Sequence, residues 1–322
     1  MTSSRSGPGR LVAAGASILL ALAAAGPRGE ETKSADPVNV DRERRRIEVP
    51  AVSLEQGKYE EQLKGAIEYV LVSKGGKSYE ALFETAAAPA EIARAFESLA
   101  IPPGRMGAPE KPPRGAAFRI VIEREIGGKT ERKPVEGYIL HAKTGKTLDE
   151  QPWVYTGSVL HRDPGREGVG LKCITTGSIA GLHFHDDSPL LLNGRKEAWT
   201  QNIYKTAREA LPPPGTRVLV VFELIPGSAP RDARGAHAVI GGRVQGLGVP
   251  SFAQREAKLL SLGGFVRSLV DGRIEVTVEG PPDAVAQFLK KLEQGPRGAR
   301  PEKVDVRDVA PLGIYEGFEI EK

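Results

Sequence analysis

From residue 46 onward the apolar positions fall mostly into short runs with the period of a β-strand, and three segments break that period with helical spacing. "AIEYVLVSKG" (66–75) and "SYEALFET" (78–85) read as strands joined by a glycine hairpin that exposes its lysines. "PAEIARAFESLAI" (89–101) opens with a proline suited to a first helical turn and places Ile92, Phe96, Leu99 and Ala100 on one face. Strand signals then resume. "AAFRIVIEREIGGKTERKPVEGYIL" holds Gly127 and Gly128 between two extended runs, the signature of a hairpin, and "TRVLVVFELI" (216–225) reads as a fully buried strand.

The last segment alternates in the same clear way. "AHAVIGGRV" is a strand, and Ala253, Ala257 and Leu260 lie at i, i+4 and i+7 on the helix after it. "GFVRSL" and "RIEVTVEG" flank Asp271 and Gly272, a hairpin turn; Ile274, Val276 and Val278 alternate with Arg273, Glu275, Thr277 and Glu279, which predicts one buried face and one wet face. "PPDAVAQFLKKLEQG" carries a stripe of Ala284, Val285, Phe288, Leu289 and Leu292, and "EKVDVRDVA" and "EGFEIEK" supply closing strands. The order βαββαβ predicts a ferredoxin-like sandwich. The chain as a whole is α+β, with a strand-rich N-terminal domain ahead of that sandwich.

Composition changes the picture mainly at the N-terminus. With 322 residues, 40% hydrophobic and 27% charged, the chain is long enough for two cores. Arg5 and Arg10 precede the apolar run "LVAAGASILLALAAA" (11–25), which ends in small residues and reads as a secretory signal peptide. Its fifteen residues fall short of the roughly 20 that span a bilayer, which disfavours an uncleaved anchor, and no other segment is a candidate span. "GPRGEETKSADPVNVDRERR" (26–45) is polar and aperiodic, a flexible spacer. "PGSAPRDARG" (226–235) interrupts two strand-like runs, so the expected division is 46–226, a linker at 227–235, and 236–322. The proline-rich "IPPGRMGAPEKPPRG" (101–115) is too short for a linker and reads as a long loop within the first domain.

Charge and cysteine content narrow the functional classes. Removal of residues 1–25 takes two of the 45 basic residues and none of the 41 acidic ones, which lowers the formal charge from +4 to +2. So slim a majority of interspersed charges makes no nucleic-acid footprint. The expected location is periplasmic or extracellular, the partner an unidentified protein or small ligand of the cell envelope. Cys173, the only cysteine, can form no internal disulfide and cannot hold an iron–sulfur cluster, so no cofactor is expected.

Three places invite a chemical reading. "SKGGKSY" (73–79) holds the tail of a phosphate-binding P-loop in Gly76, Lys77 and Ser78. The earlier glycine of that motif falls on Leu71, however, and the segment continues as strand. "GLHFHDDSPLLLNG" (181–194) sets His183 and His185 on one face of a strand before Asp186 and Asp187. That is the best metal candidate, with His141 and His161 as distant partners only if the fold brings them close; the plainer reading is a strand end entering an acidic turn. Glu223, Asp149 and Glu150 make no recognisable paired-carboxylate site. The third place is "GRVQGLGVPSF" (242–252), a strand, a glycine turn and a helix N-terminus. There the N–H groups of Gln245, Gly246, Leu247, Gly248 and Val249 can converge on an anion.

On these residues the segment 236–322 resembles an acylphosphatase. The family pattern of Gly, any residue, Val, Gln, Gly, Val, Gly, Phe, Arg and an aromatic two positions on is met by Gly242, Val244, Gln245, Gly246, Leu247, Gly248, Val249, Pro250 and Phe252; "GGFVRSL", "DGRIEVTVEGP" and "GFEI" follow in order. The resemblance implies hydrolysis of a carboxyl–phosphate bond. It also implies an arginine that grips the phosphoryl group and an asparagine that orients water, and those positions hold Pro250 and Ser268. Arg243, Arg255 and Arg267 lie on flanking elements and not in the loop, so the expectation is an inactive domain used for binding or assembly. An atypical but working acylphosphatase is the alternative, and metal-dependent activity in the first domain is another. "AIEYVLVSKGGKSYEALFETAAAPAEIARAFESLAIPPG", with "PWVYTGSVL" and "GSIAGL", resembles the YdjY-type exported domain of bacteria, which implies no settled chemistry.

Overall fold

The computed structural model describes residues 36–55, 65–108, 111–162, 169–184, 188–227 and 232–321. The signal segment and residues 26–35 of the spacer lie outside them. Residues 39–41, expected to be flexible, instead form an edge strand on Arg46–Glu48, and Asp41 closes the turn by accepting from the Arg44 N–H at 2.9 Å.

The first domain is built around one ten-stranded sheet, with two separate two-stranded pairs beside it. The path of the large sheet runs from Asn39–Asp41 through Arg46–Ser53, Arg217–Leu224, Ala117–Ile126, Trp153–Tyr155, Leu191–Asn193, Ser178–Gly181 and Tyr69–Ser73 to Ala81–Thr85. The last strand pairs back onto Arg46–Ser53 through Val52 with Glu84 and Ser53 with Phe83, which closes the sheet into a barrel-like wall. Closure pairs the edge of Ala81–Thr85 that would otherwise stay open to other strands, and leaves only Asn39–Asp41 and Lys129–Pro134 at the margins. Helix Pro89–Ser98 supplies the core that the wall needs: Ile92, Ala93 and Phe96 are buried, and Phe96 stacks on Tyr155 at 4.6 Å and meets Phe118 and Phe222 edge-on. Each such ring contributes on the order of 2–3 kcal/mol by leaving water.

Four local expectations change. Tyr69–Ser73 and Ala81–Thr85 pair in parallel, because the chain reverses once where the Gly76 N–H donates to the Ser73 carbonyl and again through the short helix Ser78–Glu80. Ala100 leaves the helical face: the helix stops at Ser98, and Ala100 is exposed with φ +54°. Arg217–Leu224 is central but not fully buried, since its outward Arg217 and Glu223 stay in contact with water. The strand before His183 ends at Gly181, and the His183 N–H turns to the Glu68 carbonyl. The hairpin at Gly127–Gly128 forms as read, with Ala117–Ile126 antiparallel to Lys129–Pro134.

The second domain orders its strands Arg300–Val309, Arg234–Arg243, Ile274–Gly280, Gly263–Ser268 and Phe318–Glu321. Helices Val249–Leu259 and Pro282–Gln294 cover one face and bury Ala253, Ala257, Val285, Phe288 and Leu292 against Ala238, Ile240, Val266, Val276 and Val278. This is the ferredoxin-like sandwich. Its other face is not wet: Glu275 is 4% exposed, Thr277 2% and Glu279 9%. The first domain lies against that face. Alternation along a strand reports side-chain direction, and here the neighbour that buries the polar side comes from elsewhere in the same chain.

Candidate functional site

The candidate anion loop leaves the sheet at a bulge. Between Gly241 and Gly242 the register against Arg300–Val309 shifts, and Gly242 adopts φ +114°. A Cβ there would lie 2.6 Å from both the Arg300 carbonyl oxygen and the Glu302 nitrogen, so only glycine fits. Val244 and Val249 are buried and pin the two ends of the turn. Between them Gly246 and Gly248 take φ +71° and +73° with open space where side chains would stand. Gly248 caps helix Val249–Leu259, and its carbonyl accepts from the Phe252 N–H at 2.9 Å.

Among the described residues, the N–H groups of Gln245, Gly246, Leu247, Gly248 and Val249 have no acceptor within the chain. The helix end adds positive potential to them. The Gln245 side chain reaches the hairpin turn, its Oε1 3.5 Å from the Cβ position of Gly272. Beside it Arg273 is held by Asp271 through contacts of 2.6 and 2.8 Å. Burial pushes the Asp271 carboxyl up, but the Arg273 guanidinium and N–H outweigh it and leave the group below its ordinary range. Ser268 is exposed at the end of its strand.

Pro250 occupies the first turn of the helix, where its missing N–H costs no intrahelical bond. Its ring brings no charge to the loop. Two of the flanking arginines are committed elsewhere. Arg255 lies over the Phe252 ring and pairs with Glu256. Arg267 crosses to the opposite face, where it binds Glu275 and the Gly104 carbonyl. Arg243 stands exposed at its strand's end, directly across from Arg300.

The metal candidate cannot be assembled from what is described. His183 is buried, while His185, Asp186 and Asp187 lie outside the described residues. Among the described residues no three His, Cys, Asp or Glu side chains gather for an ion. Cys173 is buried, and burial pushes its thiol up to about 12, which leaves it a poor nucleophile.

Residues 236–320 match the Acylphosphatase family and residues 38–223 match the YdjY domain family. The acylphosphatase of Thermus thermophilus is 47% identical over 83 residues, which is 26% of this chain and 93% of that one. The chain belongs to the YdjY family and, through its C-terminal domain, to the acylphosphatases. The acylphosphatase of Salinibacter ruber is 40% identical over 85 residues, 26% of this chain and 90% of its own. Among solved structures, Bacillus subtilis acylphosphatase matches at 30% identity over 28% of this chain and 99% of that chain, with a TM-score of 0.27.

A polar cluster on the covered face of the acylphosphatase sheet is absent from the sequence reading. His237 meets Glu275 at 2.7 Å, Arg267 holds the other Glu275 oxygen, and the Arg307 Nε donates to His237 Nδ1 at 3.3 Å. Burial raises the Glu275 carboxyl, but Arg267 and His237 overcome it and hold the group at about 2. Burial lowers His237, only partly offset by Glu275, so the imidazole is neutral at pH 7. The only sequence signal was a row of polar residues, and such a row ordinarily faces water.

Proposed function

We propose that this is an exported protein of the bacterial envelope in which the YdjY domain is joined to an acylphosphatase domain that has lost hydrolysis and serves in binding or assembly. The observation that carries this reading is the pairing of an intact loop with two missing functional groups. The donors of residues 245–249 remain, while Pro250 and Ser268 stand where the acylphosphatase pattern places arginine and asparagine. Phosphoryl transfer relies on positioning and electrostatic stabilisation, with little covalent help from the protein. Loss of one preorganised group costs about 3 kcal/mol, and loss of two lowers the rate on the order of 10⁴-fold. The hydroxyl of Ser268 can hydrogen-bond a water but lacks the paired donor and acceptor of an amide. Arg267 and Arg255 are already engaged, and Arg243 lies on the strand ahead of the loop, across from Arg300.

Export rests on the segment of residues 1–25. No helix among the described residues is long and apolar enough to cross a membrane.

The test is hydrolysis of acetyl phosphate by the mature chain beside a Pro250→Arg, Ser268→Asn double variant. The natural chain is expected to stay at the spontaneous rate and the variant to gain. Turnover by the natural chain that disappears on altering residues 245–250 would sink the proposal and favour an atypical but working enzyme.

A further inference from the structure

The covered face of the acylphosphatase sheet is closed by the YdjY domain. We infer that the acylphosphatase domain is an intramolecular brace, a structural part of the YdjY fold that completes its core and without which that fold is not fully stable. This goes beyond the reading above and holds whether or not hydrolysis survives.

Three contacts make the brace. The first is apolar. Between strands Arg300–Val309 and Phe318–Glu321 the chain crosses over through "APLGIYEG" (310–317), and Leu312 from this crossover is 5% exposed within the core of the other domain, with Ile314 packed beside it. The crossover is held at both ends of Leu312. Glu279 accepts from the Leu312 N–H at 2.6 Å and from the Gly313 N–H at 3.0 Å, and the Leu312 carbonyl lies against Gly227, where a Cβ would stand 1.9 Å from its oxygen. Glu279 is one of the alternating polar residues that read as solvated, and here it shapes the strap that inserts into the neighbour.

The second contact is main-chain. The Ala310 N–H donates to the Ala100 carbonyl at 2.8 Å, just past helix Pro89–Ser98, and the Arg267 Nη1 donates to the Gly104 carbonyl at 3.2 Å. Ala100 and Gly104 stand at the entrance of the proline-rich loop. The described residues of that loop are bridged antiparallel at Arg105 with Arg114 and at Ala108 with Lys111. The third contact is ionic. Arg105 faces Glu319 and Glu321 at 3.7 and 3.6 Å, and Arg114 faces Glu319 at 3.4 Å. A buried apolar anchor surrounded by fixed polar contacts couples two cores far more tightly than a flexible linker does.

The prediction is that the two domains unfold as one. Trp153 and Trp199 are the only tryptophans, and both lie in the YdjY domain, so tryptophan fluorescence reports that domain alone. Phe288 lies in the acylphosphatase core on the helix side of the sheet, away from the interface. Urea unfolding of the full mature chain is followed by fluorescence and by far-ultraviolet circular dichroism. The two curves are expected to coincide. Both Phe288→Ala and Leu312→Ala are expected to lower the fluorescence midpoint, by on the order of 0.5–1 M, whereas Leu259→Ala, at an exposed position, leaves it unchanged. If Phe288→Ala prevents folding, the milder Leu292→Val replaces it. A fluorescence midpoint that ignores both core variants, with a separate earlier transition in circular dichroism, overturns the brace. So does an unshifted midpoint in Leu312→Ala.

Discussion

Pro250 and Ser268 stand where the acylphosphatase pattern places arginine and asparagine. Neither disturbs the fold: proline suits the first turn of helix Val249–Leu259, and Ser268 sits exposed at a strand end. Of the two, Pro250→Arg alone is expected to recover most phosphate affinity and little rate, because charge neutralisation and water positioning act together and are not additive. Phosphate titration of the single variant against the double variant separates those contributions. Glu275 gives a second prediction at this scale. Its folded carboxyl lies at about 2, below the 4.5 of the free group, so the stabilisation it supplies is present above pH 4.5 and is lost as pH falls toward 2. Glu275→Gln strands Arg267 in a buried site and is expected to cost about 3–5 kcal/mol at pH 7. The gap from the natural chain should narrow on acidification through that window. Glu97, which burial raises, titrates in both proteins and drops out of the difference.

At the scale of elements, local chemistry was a sound guide where a two-residue turn joins the paired strands. Gly127–Gly128 and Asp271–Gly272 each join strands that pair across the turn. The stripes on Pro89–Ser98, Val249–Leu259 and Pro282–Gln294 are buried as spaced, apart from Ala100, which is exposed, and Leu260 and Ala284, which are partly buried. The pairing of Tyr69–Ser73 with Ala81–Thr85 was misread because a glycine turn gives no sign that the chain will reverse twice. The bulge at Gly242 was likewise invisible: its need for glycine comes from Arg300 and Glu302, nearly sixty positions away. Gly242→Ala combines a positive φ with a backbone clash and should cost about 2–3 kcal/mol, measured by thermal unfolding. Gly248→Ala, with a positive φ but open space, should cost only about 1 kcal/mol.

For the whole molecule, two family domains share one boundary that neither shows alone. The proline-rich loop 101–115, which looked like an internal excursion of the YdjY domain, grips the acylphosphatase sheet through Gly104, Arg105 and Arg114. The sheet face expected to be wet is thereby occupied by the chain itself. Any partner must dock elsewhere. Export is tested at this scale as well: mass spectrometry of the periplasmic or secreted protein should find a mature chain that begins near Gly26, and a full-length mass in the membrane fraction would contradict it.

The sequence by itself determined the elements whose identity depends on close neighbours: the helical stripes, the glycine hairpins, the βαββαβ order, the loop at 245–249, and the absence of arginine and asparagine at Pro250 and Ser268. These are readable because periodicity and turn chemistry act over a few residues. Only the tertiary structure decided what lies against each face. Glu275, Thr277 and Glu279 alternate as solvated residues do, and Leu312 looks like one apolar residue in a loop. Their burial is a property of a surface brought from more than a hundred residues away, and no local pattern encodes that distance.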